Sequence, residues 1–256
     1  MERDPVVPQL TIKRRSKLAQ RLRRVMKTRP WGPFQVRGVR FALKHNGRIL
    51  NADSMGLGKS WQTISWAALN PEARPLLAVC PAAVKYKWQR EFKQHAGMKA
   101  HVLEGHVVSE EDARDRLKKR IKKIKWSKRR KGPWATGAAI LAAKKKFVAS
   151  RQKQREKLRH LSSHKILIIN YDILHSWVDT LLALGIKAVV LDECHYTSDR
   201  RSKRSKACRQ IALRAKHVIA LSGTPISGKP MQFFPVLNMI RPDIFTSMWK
   251  YGFMYC

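Results

Sequence analysis

At 256 residues, with a formal charge of +37 and an isoelectric point of about 11.0, the chain has room for one large α/β domain or two small ones. An enzyme acting on a neutral or small acidic molecule has no use for such a field, whereas a polyanion does; nucleic acid is the expected partner, because each phosphate neutralised releases counterions. No apolar run is long enough to span a bilayer, which leaves a membrane surface as the weaker alternative, and Cys80, Cys194, Cys208 and Cys256, scattered without a Cys-x-x-Cys pair, argue against a zinc ribbon or a disulfide framework and for a reducing cytoplasm.

Leu18, Leu22, Val25 and Met26 recur at helical spacing among Lys13, Arg14, Arg15, Arg21, Arg23, Arg24 and Lys27. The pattern over residues 1–30 predicts a basic amphipathic helix that leans on the domain or on nucleic acid; an organellar transit peptide has the same look. Pro33-Phe34-Gln35 then opens a helix, and the Gln35 amide carries the paired donor and acceptor that an adenine edge offers. Ile49–Ala52 suits a buried strand and Trp61–Leu69 the helix after it. Between them, Asp53-Ser54-Met55-Gly56-Leu57-Gly58-Lys59-Ser60 has the character of a phosphate-binding loop. Triphosphate oxygens need N–H donors at close range, which Gly56, Leu57 and Gly58 can offer as bare backbone. Lys59 would reach the β- and γ-phosphates, and Ser60 would place a hydroxyl on Mg2+ at the positive end of the helix. The strict pattern wants Gly where Asp53 stands, so an ordinary Gly-rich turn stays open on this motif alone.

Leu76–Cys80 is the next predicted strand and Val84–Gln94 the next helix. From 114 to 159 the alternation stops: twenty Lys or Arg stand against two acidic residues, Asp115 and Glu156. Leu117, Ile121 and Ile124 suggest one helix, Gly132-Pro133 breaks it, and a second covers Ala138–Leu161. This predicts a basic helical insertion at about 109–162 that contacts nucleic acid through Lys118, Lys119, Arg120, Lys122, Lys123, Arg129 and Arg130. A solvated charged linker is the plainer alternative. Trp126 and Trp134 amid the charges favour contact with something.

Ile166–Asn170, Ala188–Leu191 and Val218–Leu221 complete five buried strands, with a helix at Lys206–Ala215. Strands alternating with helices predict a parallel sheet covered on both faces, with ligands bound beyond the carboxyl ends of the strands. The run Ala188–Leu191 delivers Asp192-Glu193-Cys194-His195. Asp192 suits a Mg2+ shell, and Glu193 suits orienting or deprotonating an attacking water. Acids are scarce in this chain, so two together at a strand tip stand out against a solvated strand end. Ser222-Gly223-Thr224-Pro225 follows the last strand, where short hydroxyl side chains could bridge a γ-phosphate site to a nucleic-acid surface.

In this order the blocks resemble the ATP-binding, first RecA-like lobe of the Swi/Snf-type superfamily-two helicases and DNA translocases, over about Trp31 to Cys256 apart from the insertion. "PFQVRGVRFAL" looks like the adenine-reading Q motif, "DSMGLGKS" the phosphate loop and "CPAAVKYKWQREF" the segment that tracks a nucleic-acid strand. "IINYDIL" is similar to the next strand-contacting block, "DECH" to the metal and water block, and "SGTP" to the coupling block. The tail "GTPISGKPMQFFPVLNMIRPDIF" is the most discriminating, and the chain looks closest to annealing-helicase-like and to phage or bacterial members, which implies a nucleoid-associated protein. The resemblance implies that Gln35 recognises adenine, that Lys59 and Ser60 bind phosphate and Mg2+, that Asp192 and Glu193 serve metal and water, and that His195, Ser222, Gly223 and Thr224 couple the nucleotide to the groove for double-stranded DNA. Asp53 is then an expected residue. Ser54 stands where the family usually has Glu, and Ser60 where it has Thr. The family also needs a second RecA-like lobe to supply arginines to the γ-phosphate. No strand–helix series for it follows in this chain, so the expectation is an ATP-binding lobe whose hydrolysis needs a second lobe, from a separate chain or otherwise. The alternative is a truncated or split-gene DNA-binding module with little or no ATPase activity.

Overall fold

Every residue of Leu76–Cys80 (β2), Ile166–Asn170 (β4) and His217–Leu221 (β6) is buried, as is all of Ala188–Asp192 (β5) except its last residue. Strands buried on both faces require helices on both faces. The computed structural model describes residues 32–108, 110–127, 133–225 and 228–256, and has this arrangement. Arg48–Asn51 (β1) and the two-residue His101–Val102 (β3) complete a six-stranded sheet in the order β1-β6-β5-β2-β4-β3, with every pair parallel. All five predicted strands are present. The short edge strand β3 was not foreseen, since two residues carry no periodic signal.

Alternate residues of the strands feed two cores. Leu76, Ala78, Ile166, Ile168, Val190 and Ile219 face Pro33–Lys44 (α1), Lys59–Leu69 (α2) and Lys85–Ala96 (α3). On the other face, Leu77, Val79, Leu167, Ile169, Val189 and Val218 meet the short helices Tyr171–Leu174 and Val178–Ala183 (α6 and α7), Lys203–Ala212 (α8) and Phe234–Ile240 (α9). A last helix, Met248–Tyr255 (α10), follows.

The insertion between β3 and β4 is two helices, Glu110–Ser127 (α4) and Pro133–Leu161 (α5), packed side by side. At 1.5 Å per residue α5 is about 43 Å long. It begins at Pro133 and not at Ala138, because the fixed φ of proline suits the first position of a helix, where its missing N–H is not needed. Arg151 Nη1 and Gln154 Nε2 both donate to Val108 O, at 2.8 and 3.0 Å, and pin α5 to the segment that leads into α4. Lys118, Lys119, Arg120, Lys122 and Lys123 are all exposed on α4. Arg129 and Arg130, like the N-terminal helix expected over residues 1–30, lie outside the described residues. No described helix is long and apolar enough to cross a membrane.

Candidate functional site

Because β1, β6 and β5 are adjacent and parallel, their carboxyl ends lie side by side. Asn51 and Asp192 are both in register with Leu221. The three loops that follow carry Asp53–Ser60, Ser222–Thr224 and Asp192–His195. Residues 130-odd positions apart in the chain thus meet at one edge of the sheet, where open parallel sheets bind ligands.

The first loop is built by polar side chains as much as by its glycines. Gly56 and Gly58 have φ of 84° and 78°, a conformation that side chains disfavour. A Cβ on Gly58 would fall 2.7 Å from Gln35 Nε2. Buried Gln62, one turn into α2, accepts from Asn51 Nδ2 at 3.0 Å and donates to Asp53 Oδ2 at 2.8 Å, while Asp53 N–H donates to Asn51 Oδ1 at 3.0 Å. This closed network explains why Asp, and not Gly, opens the loop. Ser54 meets the loop through its carbonyl, which accepts from Lys59 Nζ at 3.1 Å.

Lys59 Nζ donates to Asp53 O at 2.7 Å as well, which holds the ammonium inside the loop. A Cβ on Gly223 would lie 3.6 Å from this nitrogen and 2.7 Å from Met55 Cγ, so the turn after β6 closes one side of the loop. Ser60 sits in the first turn of α2, whose N-terminal dipole favours an anion. Gln35 uses both ends of its amide within the chain: Oε1 accepts from Gly32 N–H at 3.1 Å and Nε2 donates to Leu57 O at 3.2 Å. It therefore clips α1 onto the loop, and an adenine edge would compete with those two partners.

Asp192 ends β5 largely buried. Burial raises its pKa above the usual carboxylate range, opposed by a hydrogen bond from Trp88 and by the charge of Lys59. The Trp88 indole N–H donates to Asp192 Oδ2 at 2.8 Å, and the Tyr171 hydroxyl donates to Asp192 O at 2.8 Å. Glu193 follows in the left-handed region at φ 51°. His195 Nδ1 lies 3.3 Å from Glu193 Oε2 and 3.4 Å from Ser222 Oγ, and Ser222 Oγ also accepts from Thr224 N–H at 3.2 Å. His195, Ser222 and Thr224 thus link the β5 and β6 loops in one continuous chain of polar groups. The neighbouring thiols are inert by burial, which pushes Cys80 and Cys194 up to about 12.

The donors fit a magnesium nucleotide. Ser60 and Asp192 offer hard oxygen ligands, and among the described residues no group of three or more His, Cys, Asp or Glu side chains could hold a metal unaided. A cation that shares its shell with phosphate oxygens suits such a sparse set. The site unites Lys59, Ser60, Asp192, Glu193, His195 and Ser222. The Lys and Arg side chains of α4 are not part of it, since their hairpin grows from β3 and β4 at the opposite edge of the sheet. Sequence reasoning missed Gln62, Trp88 and Tyr171, which act through their partners rather than through a motif.

A family model described as the SNF2-related domain matches residues 34–254. The chain belongs to the SNF2-related domain family. It is 29% identical over 224 residues to the SWI/SNF-related matrix-associated actin-dependent regulator of chromatin subfamily A-like protein 1 of Xenopus laevis, a match covering 88% of this chain and 18% of that protein. It is 28% identical over 228 residues to the DNA annealing helicase and endonuclease ZRANB3 of Homo sapiens, covering 88% and 17%. The chain therefore spans less than a fifth of the length of these curated relatives. The fold is similar to that of the Sulfolobus solfataricus SWI2/SNF2 ATPase core solved in complex with dsDNA, with a TM-score of 0.59 at 23% identity, over 88% of this chain and 38% of that one. The annealing-helicase resemblance and the RecA-like fold expected from the motifs are both borne out. Membership of the SNF2 family implies nucleotide binding.

Proposed function

We propose that this SNF2-related lobe binds ATP with Mg2+ at the loop Asp53–Ser60 and follows double-stranded DNA along its backbone, hydrolysing ATP when a second RecA-like lobe completes the cleft. The observation that carries the reading is the meeting of Lys59, Ser60, Asp192 and Glu193 at the carboxyl edge of β1, β6 and β5. Lys59 neutralises the outer phosphates and the loop N–H groups cradle them. The Ser60 hydroxyl and Asp192 would hold the metal, which would screen phosphate charge and polarise the phosphoryl group. Glu193 orients the water and takes its proton, steadied by His195. Because His195 also reaches Ser222, loss of the γ-phosphate can be felt on the β6 loop, which suits a coupling role for Ser222, Gly223 and Thr224. A second lobe from another chain, or from more of the same one, is part of this proposal, since arginine fingers contribute ~10³–10⁵ in rate in related phosphate chemistry. A cytoplasmic, nucleoid-associated setting goes with it.

The test is ATP turnover by the chain with DNA, with and without an added second lobe, alongside equilibrium ATP binding. Lys59→Ala should abolish nucleotide binding and any turnover while leaving DNA binding unchanged; turnover that survives this change would sink the assignment. The exposed basic face of α4 favours a second reading, a DNA-binding module with little turnover. Under it, DNA binds with full affinity and adding the second lobe produces no ATPase activity.

A further inference from the structure

We propose that Trp88 is a positioning residue for Asp192, holding one oxygen of that carboxylate so that the other is presented to the metal of a magnesium nucleotide. The inference rests on the nucleotide-site reading above. Trp88 lies on α3, 1% exposed, with its ring 5.7 Å from that of Phe92. An indole N–H is a donor only and needs an acceptor when buried. Its acceptor is Asp192 Oδ2 at 2.8 Å, across 104 residues of sequence. The Tyr171 hydroxyl, from the other face of the sheet, takes the main-chain carbonyl of the same residue at 2.8 Å. Asp192 is thus gripped from both layers, by its backbone on one side and by its side chain on the other.

The division of labour follows from valence and geometry. A carboxylate that can rotate about χ2 presents its two oxygens interchangeably. With Oδ2 committed to a rigid, fully packed indole, and the Glu193 main-chain N–H also bonded to the carboxylate, rotation about χ2 is stopped and the group is already oriented for a metal shell. The donor is set in α3, the helix that carries most of the block resembling a strand-tracking segment. A shift of that helix would move the carboxylate with it.

The experiment compares ATP binding by the native chain, Trp88→Phe and Phe92→Leu in excess Mg2+ and in EDTA. Trp88→Phe keeps an aromatic ring but deletes the donor, whereas Phe92→Leu disturbs the same packing and spares the N–H. Trp88→Phe should reduce the Mg2+-dependent tightening about tenfold and leave metal-free ATP binding unchanged, a loss of the order expected for a hydrogen bond to a charged group. Phe92→Leu should lower the melting temperature without reducing the tightening. A second measurement needs no ligand: the indole N–H resonance that disappears in Trp88→Phe should move upfield in Asp192→Ala. Full Mg2+-dependent tightening in Trp88→Phe, an equal loss in Phe92→Leu, or an indole resonance unmoved by Asp192→Ala would each overturn the positioning role. A native chain that binds no ATP in either condition would overturn the nucleotide-site reading and this inference with it.

Discussion

Asp192 places a carboxyl where burial disfavours a negative charge. Its pKa is raised first by desolvation, with Glu193 adding repulsion and Trp88 and Lys59 opposing. The sign follows directly: a carboxyl whose folded pKa lies above its unfolded one supports folding most when protonated, and that support is lost as pH rises through the folded value. Once ionised, the side chain is therefore a local destabiliser, the kind of cost a functional site bears. Asp192→Asn should raise the melting temperature of the ligand-free protein by roughly 2–4 °C, equivalent to about 1 kcal/mol, and should abolish the Mg2+ dependence of ATP binding. Calorimetry with and without Mg2+ and ATP checks both, and a fall in melting temperature would contradict the desolvation argument. At this scale the motif residues were legible because their spacing is local: Lys59 and Ser60 share one loop, and Asp192 and Glu193 share one strand tip. Gln62, Trp88 and Tyr171 were not. Trp88 and Tyr171 look like ordinary core residues and Gln62 like an ordinary polar position of a helix, and only the partner shows the role.

At the scale of elements, five strands were legible because short apolar runs bounded by polar turns have few other folds open to them. β3 was invisible, since His101 and Val102 are held in line by pairing with Leu167 and Ile168 rather than by their own propensity. The insertion was legible as helical and basic, and the structure adds which side is dry. Ala113 and Ala143 are buried between α4 and α5, while Lys118, Lys119, Arg120, Lys122 and Lys123 face solvent. If that face binds the DNA backbone, changing these five residues to Gln should weaken binding uniformly across sequences. It should also flatten the plot of log affinity against log salt by about 0.9 for each phosphate that is no longer neutralised. Titration of one duplex at several salt concentrations reads the slope; an unchanged slope removes the hairpin from the interface. ATP binding should not respond, because the hairpin and the phosphate loop grow from opposite edges of the sheet.

The molecule as a whole is tied together by a side chain whose role no local pattern announces. Arg48 opens β1, and its guanidinium donates to Ala215 O and Lys216 O at 2.9 and 3.1 Å and to Met239 O and Ile240 O at 2.9 and 2.7 Å. It thus joins the first strand to the turn before β6 and to the end of α9, 192 residues away. Burial lowers its pKa, yet its carbonyl partners leave it well satisfied. Arg48→Met should destabilise the fold by about 2–4 kcal/mol, because four carbonyls lose a charged donor. The melting temperature should then fall by roughly 5–15 °C. ATP affinity measured below the transition should stay within about twofold of native, since Arg48 lies at the amino end of β1 and the phosphate loop at its carboxyl end, about 13 Å away at 3.3 Å per residue. A large loss of affinity would mean that the sheet transmits the defect to the site.

The sequence by itself determined the class of fold, the glycine-rich strand-to-helix loop, the paired acids and the basic arm, because each is written in residues that are neighbours in the chain or recur with the period of a helix or strand. Only the tertiary structure decided that β6 lies between β1 and β5, so that Ser222 and Gly223 close on Lys59 and reach His195. It alone decided that Gln35 is spent on the loop, that Gln62 anchors Asp53, and that Trp88 grips Asp192. Those outcomes depend on which strand lies beside which, and long-range pairing is set by the burial of the whole sheet, which no short stretch of sequence encodes.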